Sequence, residues 1–173
     1  IRHFREAEGG VHKPWLVLRI TAQKEPLTDT ILRVIRSATK EYFSDPIHKE
    51  ITDALDLVKS EADFVKNLNH LSEKAKNSGG GGLLLIIDEM GKAVEYVSRR
   101  DRDLYFFQEL AEQFSRANSR SVVLGVLHQS FEEYANRSDL AQRKEWSKIQ
   151  GRFEDTPFSV NIEESLELIS NAI

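Results

Sequence analysis

Two adjacent carboxylates, Asp88 and Glu89, follow a run of five apolar residues at positions 83–87. A continuous apolar run of this length is typical of a strand that is buried on both faces within a parallel sheet. Carboxylates at the end of such a strand are costly unless they are solvated or used. Because successive strand residues point to opposite sides, the pair does not form one site of the glycosidase type. We expect two separate tasks, in which one carboxylate holds a magnesium ion and the other polarises a water molecule.

Polar residues at other strand ends are the next candidates. In parallel sheets, ligands bind beyond the carboxyl ends of the strands. Functional side chains are therefore expected after Ile20, Ile87 and Leu127. His128 and Gln129 come directly after the last of these positions.

The elements that would position these residues can be inferred from apolar spacing. Strands are expected near residues 15–21, 83–87, 121–127 and 157–160. Apolar residues recurring every three or four positions predict amphipathic helices over about 26–42 and, in two parts, over about 46–76. Further helices are expected after Asp103, over about 139–149 and over about 163–173.

Helix-start signals divide the stretch before the apolar run at 83–87. Asp45-Pro46 combines a capping carboxylate with a proline suited to the first turn. Ser60 and Asp63 have the spacing of a capping box. We interpret residues 46–76 as an inserted helical hairpin.

Strands alternating with helices predict an α/β fold, a parallel sheet sandwiched by helices. We expect a single domain over residues 1–173, in three parts. These are a strand and helix at 13–45, the helical insertion and a loop at 46–78, and the remaining strands and helices at 79–173.

Composition narrows the class of protein. The 173 residues have a net charge of −4. The chain therefore lacks the overall positive charge that usually accompanies nucleic-acid binding. No apolar run reaches the roughly 18 residues of a membrane span, and a signal-peptide pattern is absent. The chain lacks cysteine, which excludes disulfides and thiolate metal sites. We expect a cytoplasmic protein with no membrane association.

Four consecutive glycines at 79–82 could suggest a phosphate-binding loop. They lack the lysine and the Ser or Thr of such a loop, and a strand follows them instead of a helix. We interpret them as a flexible surface loop.

Residues 83–89, five apolar residues and then Asp-Glu, resemble the Walker B motif of ASCE-division P-loop ATPases, the group that includes the AAA+ proteins. The resemblance implies ATP and Mg²⁺ as cofactors. It makes Asp88 the magnesium-site acid and Glu89 the base that orients the attacking water. Residues 88–92, 128–130 and 151–155 together also resemble large bacterial ATPases, some of them tied to phage defence.

The same resemblance implies two further roles. In that family the strand after Walker B ends in a polar sensor of the γ-phosphate, and His128 or Gln129 stands there, where the family more often has Asn, Thr or Ser. Many AAA+ proteins carry an arginine finger before the last strand, and Arg152 has a similar place. The competing interpretations are an ordinary strand-end histidine and a surface arginine paired with Glu154 or Asp155.

One family motif is missing. No Gly-x-x-x-x-Gly-Lys-Ser/Thr loop occurs in the chain, and in the family order it would precede Ile1. We therefore interpret the chain as a partial ATPase domain that begins after the phosphate loop and binds nucleotide weakly or not at all on its own. The missing central strand would leave an unpaired apolar edge on the strand ending at Leu127, and such an edge favours pairing with another chain.

Two other functions stay open. The first is a non-catalytic α/β interaction module in which Asp88 and Glu89 are incidental. The second is a metal-dependent nuclease, although a further acidic cluster at another strand end is lacking. For an ATPase, the expected partners are further copies of the chain or other subunits of an assembly.

Overall fold

The computed structural model describes residues 14–98, 104–116, 120–130, 133 and 140–156. The strands of these residues are β1, β2 and β3, which span Leu16–Thr21, Leu83–Asp88 and Ser121–Gly125. The helices, α1 to α6, span Leu27–Tyr42, Asp45–Asp56, Glu61–Asn77, Met90–Ser98, Tyr105–Phe114 and Leu140–Gln150. The strand expected at 157–160 and the helix expected at 163–173 lie outside the described residues.

The three strands form one parallel sheet in the order β1-β2-β3. The register places Thr21 opposite Asp88 and Ile87 opposite Gly125. The Walker B-like run is therefore the central strand of the described sheet, and its carboxylates lie at the carboxyl edge. The α/β class and the parallel direction of these three strands are confirmed.

Side chains alternate between the two faces of the sheet, and the described helices cover one of them. The buried set comprises Leu16, Leu18, Ile20, Leu83, Leu85 and Ile87. On the opposite face, the exposed fractions are 47% for Val122 and 52% for Leu124 in β3, and 40% for Val126, which directly follows the strand. The predicted sandwich would have helices on both faces of the sheet. The described helices cover one face, and the other face carries exposed apolar side chains.

The stretch before β2 contains two helices, as the sequence predicted. Helices α2 and α3 pack against each other. Helix α2 also packs against α1, which contacts β1, and α3 contacts β2 directly. Ser60 caps α3, since its Oγ accepts a hydrogen bond from the Asp63 amide at 3.1 Å. The cap expected at Asp45 is wrong, because Asp45 is already helical and the N-cap position belongs to Ser44.

Helix α4 was not predicted from the sequence. It begins at Met90, one residue after Glu89, and buries Met90, Ala93 and Val94. Its nine residues give few periods of the apolar pattern, and Gly91 in its first turn lowers helix propensity. The consequence for the site is that Glu89 is immediately followed by a helix.

The glycine run is a closely packed turn, which corrects the interpretation as a flexible loop. Gly82 has φ 129°, and a Cβ there would lie 2.0 Å from the carbonyl oxygen of Arg120. A Cβ at Gly80 would lie 1.9 Å from the Tyr42 hydroxyl. This turn is at the amino end of β2, roughly 17 Å along the strand from Asp88. It therefore belongs to the opposite edge of the sheet from the carboxylates.

Within the described ranges, no helix combines the length and the apolar character that crossing a membrane requires.

Candidate functional site

Asp88 is the last residue of β2, and its carboxylate is exposed at the carboxyl edge of the sheet. Backbone pairing holds it in place, because the Ala22 amide donates to the Asp88 carbonyl at 2.8 Å. One carboxylate oxygen, Oδ1, accepts a hydrogen bond from the Glu89 amide at 2.9 Å. Since no other described group donates to this carboxylate, Oδ2 remains available for a ligand.

Glu89 leaves the strand instead of continuing it. Its φ is +52°, a left-handed conformation that a residue with a Cβ rarely adopts. Alternation along a strand was therefore the wrong reason for giving the two carboxylates separate environments. The separation arises because the chain turns at Glu89 between β2 and α4.

Lys92, in the first turn of α4, is the partner of Glu89. Its ammonium forms an ion pair with Glu89 Oε2, an oxygen that is enclosed by the protein and receives no hydrogen bond from another described group. Hydrogen bonding from Lys92 lowers the pKa of the Glu89 carboxyl below its ordinary value; burial opposes this, while the charges of Lys92 and His128 reinforce it. Glu89 is therefore ionised at neutral pH, the state in which a carboxylate can accept a proton.

The segment after β3 lies against the turn that contains Glu89. The Val126 amide donates to the Ile87 carbonyl, and the Met90 amide donates to the Val126 carbonyl, both at 2.9 Å. His128 follows two residues later, is exposed, and is near enough for its charge to act on Glu89. Gln129 is also exposed. Of these two sensor candidates, His128 is the one that contributes to the lowered pKa of Glu89.

Arg152 is not brought to this edge. It pairs with Glu112 in the last turn of α5, and not with Glu154 or Asp155. The neighbouring Gln113 bonds Asn69 of α3 at 3.1 Å, and α3 continues to the amino edge, where the Ser72 hydroxyl donates to the Arg120 carbonyl at 2.8 Å. Arg152 therefore lies toward the amino edge of the sheet. Among the described contacts of Arg152, none joins it to Asp88 or Glu89 of its own chain.

The described residues at this edge suit a magnesium ion only if another ligand supplies further oxygen atoms. Among the described residues, no group of three or more His, Asp or Glu side chains is arranged to hold a metal. A single carboxylate such as Asp88 is nevertheless a common magnesium partner where substrate phosphates and water supply the remaining oxygens. The residues thus suit a metal that arrives with a phosphate-bearing ligand.

One residue of this edge, Lys92, was missed from the sequence, and a second, Thr21, occupies an expected position after Ile20 but was not singled out. Lys92 could have been found from its spacing, since residues three apart on a helix are neighbours. Thr21 ends β1 opposite Asp88 and places an exposed hydroxyl at the same edge. Its signal was the end of the first strand, where ligands of parallel sheets bind.

Comparison with protein-family models, with curated proteins and with solved structures finds no significant match to the chain. The functional interpretation therefore depends on the residues and geometry of the carboxyl edge.

Proposed function

We propose that the chain contributes the hydrolytic edge of an ASCE-type P-loop ATPase that binds Mg²⁺ and ATP. The observation that carries the proposal is the placement of Asp88 and Glu89. They end the central strand of the described parallel sheet, and His128 follows the adjacent strand. This is the edge at which ligands of parallel sheets bind.

The two carboxylates have different roles in this proposal. Asp88 has an exposed carboxylate with an available oxygen that would hold a magnesium ion, whose charge would offset that of the phosphates. Glu89 is ionised and accepts a proton from the attacking water. The bond from water oxygen to the γ-phosphorus forms as the bond to the bridging oxygen breaks, and ADP leaves. His128 or Gln129 contacts the γ-phosphate.

A complete ATPase also needs a phosphate-binding loop and an arginine finger, and the carboxyl edge of the described sheet contains neither. The sequence contains no phosphate-binding loop, so the 173-residue chain is expected to have no tight affinity for ATP. Arg152 lies toward the opposite edge, which suits an arginine finger only if it acts on the nucleotide of a neighbouring subunit. The proposal therefore includes self-association or assembly with other subunits.

The test uses the natural full-length polypeptide, with ATP binding and ATP hydrolysis measured separately. Asp88→Asn removes the charge that holds the metal, so magnesium-dependent binding should weaken. Glu89→Gln keeps the size of the side chain but cannot accept a proton, so ATP should still bind while turnover falls by roughly 100-fold or more.

Glu95→Gln is the matched control. Glu95 is also in α4, and its Oε2 lies 3.8 Å from the ammonium of Lys24. Its replacement should leave both binding and turnover near the unmodified values. Hydrolysis by Glu89→Gln at the unmodified rate would overturn the assignment.

A non-catalytic interaction module is the second candidate. It is favoured by the exposed apolar side chains of Val122, Leu124 and Val126, because exposed apolar patches commonly mark protein contacts. This alternative predicts that the full-length polypeptide does not hydrolyse ATP and that Asp88→Asn and Glu89→Gln change neither binding nor turnover.

A further inference from the structure

Two buried polar side-chain atoms lie where α3 meets the amino end of β3, and neither has a hydrogen-bond partner among the described residues. They are Oδ1 of Asn69 and Oγ of Ser121. Ser121 as a whole is only 7% exposed, so its hydroxyl is shielded from bulk solvent. A buried polar group without a partner is unfavourable, and such groups are usually satisfied by the protein or by an ordered water molecule.

The two atoms belong to one small region, because both residues flank the same hydrogen bond. In that bond the Ser72 hydroxyl of α3 donates to the Arg120 carbonyl at 2.8 Å. Asn69 precedes Ser72 by about one turn of α3, and the two are therefore neighbours on the helix. Ser121 directly follows Arg120. Because α3 runs toward the amino edge and β3 runs away from it, one turn back along α3 and one step forward along β3 lead in the same direction.

The neighbouring polar groups already have partners. The Arg120 carbonyl accepts from the Ser72 hydroxyl and from the Leu83 amide at 2.9 Å, which uses both of its lone pairs. The Asn69 amide nitrogen donates to Gln113 Oε1 at 3.1 Å. Rotating both side-chain amides would exchange their nitrogen and oxygen atoms, but one polar atom of Asn69 would still be unpaired. The two atoms therefore need a partner that the described residues do not supply.

We propose that a buried water molecule binds between Asn69 and Ser121 and links α3 to the amino end of β3. Water suits both atoms, since it can donate to the Asn69 oxygen and can either donate to or accept from the Ser121 hydroxyl. Both side chains are neutral, which favours a small neutral ligand over an ion. This site is at the opposite edge of the sheet from Asp88 and does not depend on the proposed ATPase function.

A high-resolution crystal structure of the 173-residue chain tests the proposal directly. One water molecule should lie within roughly 2.7–3.2 Å of both the Ser121 hydroxyl and the Asn69 side-chain amide. Direct contact between these two side chains, or a site without water density, would overturn the proposal.

Urea unfolding gives a second measurement, in the form of a double-mutant cycle. Ser121→Ala removes one partner of the water, and Asn69→Leu removes the other. Once either partner is absent, the water is held less strongly, so the second substitution should destabilise the protein less than it does alone. The coupling should amount to a roughly three- to tenfold change in the folding equilibrium constant.

Asn67→Leu is the matched control. Asn67 is in the same helix and is also half-buried, but its amide nitrogen donates to the Asp63 carbonyl within α3 at 2.8 Å. The effects of Asn67→Leu and Ser121→Ala on stability should therefore be additive. If the effects of Asn69→Leu and Ser121→Ala were additive as well, the two side chains would not share a water molecule and the proposal would be wrong.

Discussion

The chemistry of the carboxyl edge depends on how each of two neighbouring residues is held. Asp88 keeps the geometry of the strand and an exposed carboxylate, whereas Glu89 turns out of the strand and pairs with Lys92. From the sequence, two distinct tasks were predicted on the assumption that both residues continue the strand. The two side chains are separated by a left-handed backbone conformation at Glu89, and the local sequence does not predict this conformation for a glutamate.

The backbone at Glu89 leads to a stability prediction. Alanine is usually more stabilising than glycine, because glycine loses more conformational freedom on folding. At φ +52° the order should reverse, since the Cβ of alanine clashes in this conformation. Glu89→Gly should therefore have a folding equilibrium constant roughly three- to tenfold larger than Glu89→Ala.

Urea unfolding of the two variants, followed by circular dichroism, measures this difference. Both variants lose the carboxylate and the ion pair with Lys92, so those losses cancel in the comparison. If the alanine variant were the more stable one, the left-handed conformation at residue 89 would be wrong.

At the scale of elements, the strands and most helices follow local patterns. Apolar runs predicted β1, β2 and β3, and spacing predicted α1, α2, α3, α5 and α6. The missed helix α4 is short and has a glycine in its first turn, so local propensity argues against it. It is stabilised by burial of Met90, Ala93 and Val94, a tertiary effect.

The turn before β2 shows how composition can mislead at this scale. Glycine runs are typical of flexible loops, but here Gly82 is required by φ 129° and by the closeness of the Arg120 carbonyl. Gly82→Ala should destabilise the protein by roughly 2–4 kcal/mol, from backbone strain and the steric clash together.

Gly79→Ala is the matched control in the same turn. Gly79 also has a positive φ, 84°, but no atom lies within 4 Å of an added Cβ. Its replacement should cost only about 1 kcal/mol. Thermal or urea unfolding distinguishes the two, and equal losses would mean that close packing does not restrict this turn.

At the scale of the whole molecule, the described helices cover one face of the sheet. Parallel sheets are normally covered on both faces, because their strands are apolar on both. The uncovered face of β3 presents Val122, Leu124 and Val126. An exposed apolar strand surface favours association with other chains.

Self-association should therefore depend on this face. Leu124→Lys places a charge at the centre of the exposed β3 surface and should reduce concentration-dependent association of the 173-residue chain in light scattering or sedimentation. Leu57→Lys makes the same chemical change at a leucine that is 76% exposed in the turn after α2, away from the sheet. It should leave association unchanged, and a similar effect of both variants would exclude a specific role for β3.

The amino-acid sequence by itself determined the elements whose signals are local. Apolar runs, helical spacing and the Ser60 cap depend on neighbours within a few residues, and they were sufficient for the α/β class and the parallel direction of the described strands. The same local pattern placed Asp88 and Glu89 where β2 ends, because the buried apolar run stops where the charged residues begin.

Only the tertiary structure decided the features that depend on residues distant in sequence. The glycine turn is rigid because Arg120 and Tyr42 approach it, and Arg152 is directed away from the carboxylates because it meets Glu112 on another helix. The left-handed turn at Glu89 forms where β2 must give way to α4 beside the segment after β3. Such contacts are set by packing between elements, and no short stretch of sequence contains them.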